Sequence, residues 1–109
     1  SAQSDIIRWA MIDGTWDKQL RTILTQPSTA SGDQRALMLY FADNHDAKGM
    51  MAVERQVRSA EAKQLKRLAI WLLAREPKKD LEPSFRGFIG SKDPAIRAVA
   101  IYGLLSIHK

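Results

Sequence analysis

A chain of 109 residues without cysteine, 45% hydrophobic and 27% charged, has the length and composition of one domain around one apolar core, and it needs neither disulfides nor a metal to close. These proportions argue against a disordered polypeptide, and the missing thiols exclude disulfide bonds, cysteine nucleophiles and cysteine metal sites. A net charge of +5 favours an acidic partner over a basic one.

In chain order, the first helix is expected over Ser4 to Met11, stopping near Asp13-Gly14. Trp16, Leu20, Ile23 and Leu24 mark a short amphipathic second helix, followed by a loop from Thr25 to Gly32. Arg35 to Asp43 reads as a third helix opened by Ser31, Gly32 or Asp33, and a loop from Asn44 to Lys48 leads to a fourth around Met50, Val53 and Val57. Glu61 to Ala74 places Leu65, Leu68, Ala69, Leu72 and Leu73 in one apolar stripe. Glu76-Pro77 ends that helix because the residue before proline avoids the helical region. After a loop from Pro77 to Asp80, Pro83 leads into a helix with Phe85, Phe88 and Ile89. The last helix opens at Asp93-Pro94, an acceptor for free amides followed by a residue with no amide to satisfy, and ends near Ile107. No segment has the strict alternation of a half-buried strand.

These helices carry a repeat. Aromatic residues fall at Trp9, Tyr40, Trp71 and Tyr102, each 31 positions after the last. Arg35, Lys66 and Arg97 form a second column at that offset, Leu39, Ile70 and Ile101 a third, Met38, Ala69 and Ala100 a fourth, and Ala42, Leu73 and Leu104 a fifth. A hairpin of two short helices cannot bury its apolar face alone, so neighbours must stack on it. The expected fold is all-α, a single domain over 1–109, built as a short right-handed, α-solenoid-like stack of helical hairpins with about 3 to 3.5 repeats. Packed between aliphatic neighbours, the aromatic column is expected in the core between hairpins; the alternative is a ladder of exposed aromatics that stacks on bases or peptide side chains.

The segment from Phe88 to Leu105 resembles a HEAT-type or armadillo-like repeat, clearest across residues 85–107. Asp93, Pro94, Arg97, Ala100 and Leu104 match the pattern of that family; the preceding unit follows it more loosely through Lys66, Ala69 and Leu73. The first two units depart from it, with Met38 in place of a small residue and Gln34 after Asp33 in place of proline. The resemblance implies a curved stack that binds proteins, or sometimes nucleic acid, along one face. It also implies that Arg35, Lys66 and Arg97 each bond back to a preceding turn, with Asp33, Glu61 and Asp93 as local partners.

Charge is divided unevenly. Residues 1–54 carry five basic and seven acidic side chains, whereas residues 55–109 carry twelve basic and five acidic ones. The electropositive half contains the candidate binding surface: Arg55, Arg58, Lys63, Lys66 and Arg67, with Lys78 in the following loop. Trp16, flanked by Gly14, Thr15 and Asp17, is expected to cap the end of the stack or to stand half exposed at a contact surface. Asp43, His45 and Asp46 have metal-ligand chemistry, but a closed site needs four ligands and His108 lies far along the chain, so they are expected to form a polar loop with Asp46 capping the next helix. Ser28, Ser31, Ser59, Ser84 and Ser91 lack a strained-turn context and the glycines form no phosphate cradle, so neither catalysis nor a cofactor is expected.

The expected function is a non-catalytic adaptor or assembly domain that binds another protein, with self-association as one form of it; the alternative is nucleic-acid or polyanion binding through the basic half. The longest apolar run, around Leu68 to Ala74, is too short to span a bilayer, and no charged segment followed by an apolar run and cleavage site is seen, so membrane insertion is not expected. A cytoplasmic setting is favoured. The small polar start Ser1-Ala2-Gln3-Ser4-Asp5 is also compatible with the mature end of an exported protein or a domain cut from a larger one.

Overall fold

Capping chemistry sets several helix ends in this chain, as the computed structural model, which describes all 109 residues, shows. Helix α1, Ala2–Asp13, begins two residues before its expected start because the Ser1 hydroxyl accepts the amide of Ser4 at 3.2 Å. It ends at Gly14, whose φ of +80° is the left-handed conformation that glycine adopts without steric cost. Helix α2, Asp17–Thr25, and α3, Ser31–Asp43, follow. Helix α4, Ala47–Ser59, is opened by Asp46, which accepts from the Gly49 amide at 3.0 Å, so the loop before it is shorter than the sequence suggests. Helix α5, Lys63–Arg75, leads to a 3-10 turn over Lys79–Leu81 where a loop is expected, then to α6, Glu82–Phe88. Helix α7, Pro94–Ile107, starts as expected, with the Asp93 carboxylate accepting the Ala95 amide at 3.0 Å.

The result is an all-α bundle without strands, 41 × 25 × 15 Å in extent and with a radius of gyration of 13.9 Å, close to the roughly 13 Å expected for a compact chain of this length. Helix α5 lies at its centre, against α3, α4 and α7. Helix α2 packs on α3 and α4, α6 on α7, and α1 on α2 and α3. Leu20, Leu24, Leu37, Met38, Phe41, Ile70, Leu72, Leu73 and Phe85 are fully enclosed in one continuous core. No helix is long and apolar enough to cross a membrane.

The aromatic column does not enter this core. Trp9, Trp71 and Tyr102 stand at least half exposed and Tyr40 is half-buried. The core is filled instead from the positions two before and one after: Ile7, Met38, Ala69 and Ala100, and Ala10, Phe41, Leu72 and Gly103. Around a helix, two residues back and one residue on lie about 60° apart, and the aromatics point well away from both.

Polar groups stitch the interior together at the end of α2. The last carbonyls of a helix have no partner within it. Here the Leu24 carbonyl accepts from the side-chain amides of Gln34 on α3, at 3.4 Å, and Gln56 on α4, at 3.2 Å. The Thr29 hydroxyl donates to the Ile23 carbonyl at 2.5 Å. One carboxylate oxygen of buried Asp33 has no protein partner, but it lies in the first turn of α3, where the helix dipole favours a negative charge.

Two helical glycines test the packing with opposite signs. A Cβ on Gly49 would lie 2.5 Å from ring atoms of Phe41, whereas one on Gly87 would meet nothing within 4 Å. Helix propensity alone favours alanine at both by about 1 kcal/mol, but the forced displacement of Phe41 costs about 1–3 kcal/mol. Gly49→Ala should therefore lower the denaturation midpoint and Gly87→Ala raise it slightly, as followed by circular dichroism in urea.

Candidate functional site

Four of the basic residues singled out in the sequence line two separate hollows of the surface, and Arg55 and Arg67 line neither. The first is a groove of about 570 Å³ between the end of α4, the start of α5 and the α6–α7 connection. Arg58, Lys63 and Lys66 line it, joined by Lys92, against Glu61 and Asp93. The start of α5 is electrostatically unusual. Ala62 offers no side-chain cap and the first turn carries no acid, so Lys63, Lys66 and Arg67 crowd the positive end of the helix dipole.

Asp93 offsets that crowding. It accepts from Arg67 Nε at 2.8 Å and from Nη2 at 3.0 Å, a two-pronged ion pair that ties α7 to α5. These bonds hold the Asp93 carboxyl down at about 2, with the Ala95 amide and the charge of Lys63 adding to the effect and partial burial opposing it; the same contact raises the pKa of Arg67. Arg67 is thus engaged in the fold. The expected ladder of Arg35, Lys66 and Arg97 is formed only at Arg97, which donates to the Ser91 carbonyl at 2.8 Å. The tie between helices comes from Arg67, the residue beside Lys66.

Arg58 is held at the groove's rim with its guanidinium 4.8 Å above the Phe88 ring and 3.7 Å from Glu54. Arg55 is exposed on α4 outside this groove. Lys78 lines a different hollow, about 270 Å³, formed by Ala42, Met50, Met51, Leu72, Leu73 and Leu81. The rim of that hollow includes His45, whose Nδ1 lies 2.9 Å from Glu76 Oε2. The loop residues that resemble metal ligands are engaged separately: Asp43 with Arg75, His45 with Glu76, and Asp46 with the Gly49 amide and Arg21. No group of three His, Cys, Asp or Glu side chains converges.

A third hollow, about 420 Å³, runs between α5 and α7 and is almost wholly apolar: Trp71, Ala74, Ala98, Val99 and Tyr102, with Arg75 alone bearing charge. The Arg75 guanidinium stands 5.4 Å over the Trp71 ring. At the other end of the molecule Trp16 is partly exposed, its ring 6.0 Å from that of Trp9 and tilted by 49°. Tyr40, between the two ends, donates its hydroxyl to Asp17 at 2.7 Å; burial first, then Asp17 and Asp46, push its pKa up to about 12.

Sequence reasoning missed Lys92 and the α5–α7 groove. The groove had a readable signal: Ala98 and Tyr102 stand four apart on α7, distinct from the buried Ile96, Ala100 and Gly103, and Trp71 and Ala74 stand three apart on α5. Chemically, both histidines face carboxylates, His45 with Glu76 and His108 with Glu82, and the only serine hydroxyl bonded to an acid side chain is that of Ser84, on Glu54. These pairings supply hydrogen bonds, with no hydroxyl placed against an imidazole. No family model, curated protein or solved structure matches the chain.

The Asp93–Arg67 pair gives a pH test. A carboxyl whose folded pKa is depressed from 3.8 to about 2 stabilises the fold fully above the higher value and loses that contribution as pH falls towards the lower. Asp93→Asn keeps a capping side chain but weakens the ion pair. Its thermal midpoint should lie below that of the wild type by a constant margin above about pH 5, and the margin should close on titration towards pH 2.

Proposed function

We propose that this chain is a non-catalytic assembly or adaptor domain, a short right-handed stack of helical hairpins that binds another protein through apolar surface. The observation that carries this reading is the position of the exposed large apolar side chains. Ile6, Trp9 and Ile12 lie on α1, and Ile101, Tyr102 and Leu105 on α7, with Trp71 beside the last group. Repeat arrays that stand alone in water carry polar outer faces on their terminal units, whereas apolar patches left open mark contact sites. The stacked arrangement is supported by the order of contacts, α1 to α3, α3 to α5 and α5 to α7, among helices whose sequences share the 31-residue columns.

The groove between α5 and α7 suits an amphipathic helix that presents apolar anchors at spacings of three and four, with an acidic residue facing Arg75. Trp71 and Tyr102 are the aromatic anchors of such a contact. A library of displayed amphipathic helical peptides provides the test. Enriched sequences are expected to lose at least about tenfold in affinity on Trp71→Ala, as removal of an anchor costing more than about 1.4 kcal/mol implies.

A second reading, polyanion binding, is favoured by the Arg58, Lys63, Lys66 and Lys92 groove. Fluorescence anisotropy with labelled duplex and single-stranded DNA across a salt series separates the two. The assembly reading predicts a flat response at physiological salt together with peptide enrichment. Absence of peptide enrichment, with DNA binding that weakens steeply with salt and is lost on Lys63→Gln/Lys66→Gln, replaces it with the polyanion reading.

A further inference from the structure

The two open apolar faces are related by the sequence register. On α5, which packs against α7, Ile70 and Ala74 are 0% and 2% exposed. Their counterparts 31 positions later on α7, Ile101 and Leu105, are 46% and 67% exposed. Helix α7 thus repeats on its free side apolar positions that α5 buries. At the opposite end, Ile6 on α1 is 65% exposed, while Leu37, 31 positions later on α3, is 0% exposed. Position 37 on α3 has a neighbouring helix to cover it, and position 6 on α1 has none.

We propose that the occupant of both faces is a second copy of this chain, with α1 of one molecule laid on α7 of the next in a head-to-tail contact. The proposal rests on the reading of the chain as an assembly domain and names its partner. The register selects this pairing over its symmetric rivals: α5 packs against α7, the helix that follows it by 31 positions, and α1 carries the same columns, so α1 of a second copy would stand to α7 as α7 stands to α5. A head-to-tail contact uses two different surfaces, so it leaves one free α1 face and one free α7 face after every addition and extends until it closes into a ring or continues as a filament.

That asymmetry supplies the experiment. Ile101→Asp/Leu105→Asp blocks the α7 face, and Ile6→Asp blocks the α1 face; all three positions are exposed, and far-ultraviolet circular dichroism checks that both variants remain folded. Sedimentation equilibrium over a concentration series should show the wild type rising beyond dimer mass and each variant alone remaining at the monomer mass of 12.3 kDa. An equimolar mixture of the two variants should form a dimer and nothing larger, because it contains one intact face of each kind. A wild type that stays monomeric throughout overturns the proposal, as does a variant that dimerises by itself or a mixture that remains monomeric. If the proposal falls while displayed helical peptides still bind in a Trp71-dependent manner, the assembly reading stands with a different partner; if peptide binding is also absent, both fall.

Discussion

Helices of seven to fourteen residues are at or below the length at which an isolated helix persists in water. Every helix in this chain therefore depends on lateral packing, and α5 supplies the largest share of it. Six of its thirteen residues are buried, and it is the one helix in contact with α3, α4 and α7 together. Helix α1, by contrast, buries only Ile7 and Ala10 and packs on α2 and α3. Stability is graded from a well-covered centre towards thinly covered ends, and those ends carry most of the apolar surface that remains open.

Polar contacts fix how the helices sit on this framework. The Leu24 carbonyl, shared between Gln34 and Gln56, holds α2, α3 and α4 at one point in the interior, where an unmade bond costs more than a made bond contributes. The Asp93–Arg67 pair does the same for α5 and α7 at the surface. Its functional consequence is indirect. By engaging Arg67, it leaves Lys63, Lys66, Arg58 and Lys92 around the basic groove, and it seats α7 against α5 so that Trp71 and Tyr102 border a common hollow.

Local chemistry was readable in the sequence. The Asp93-Pro94 start, the Asp46 cap, the Gly14 stop and the apolar stripe of α5 all stand in the structure where their residues imply. The aromatic column was legible as a register and illegible as an orientation. A period of 31 places Trp9, Tyr40, Trp71 and Tyr102 at equivalent helix positions, but whether that position faces the core depends on which neighbouring stripe wins the packing. Long-range partners were equally hidden: Lys66 and Arg67 are adjacent in sequence, and only the seating of α7 decides that Arg67 meets Asp93. The basic groove is assembled from α4, α5 and the loop before α7, so its membership, Lys92 included, follows from tertiary contact and not from spacing along any one helix.

The account holds that α5 is the anchor of the fold and that α1 is an end element whose outer face lacks cover. Native-state hydrogen exchange, read by mass spectrometry on dilute protein, tests this directly. The amides of α5 should exchange slowest, through global unfolding, and those of α1 fastest among the helices, through local opening. Equal protection of α1 and α5 in dilute solution would contradict the account, because it would mean that the end helix is already as well covered as the centre.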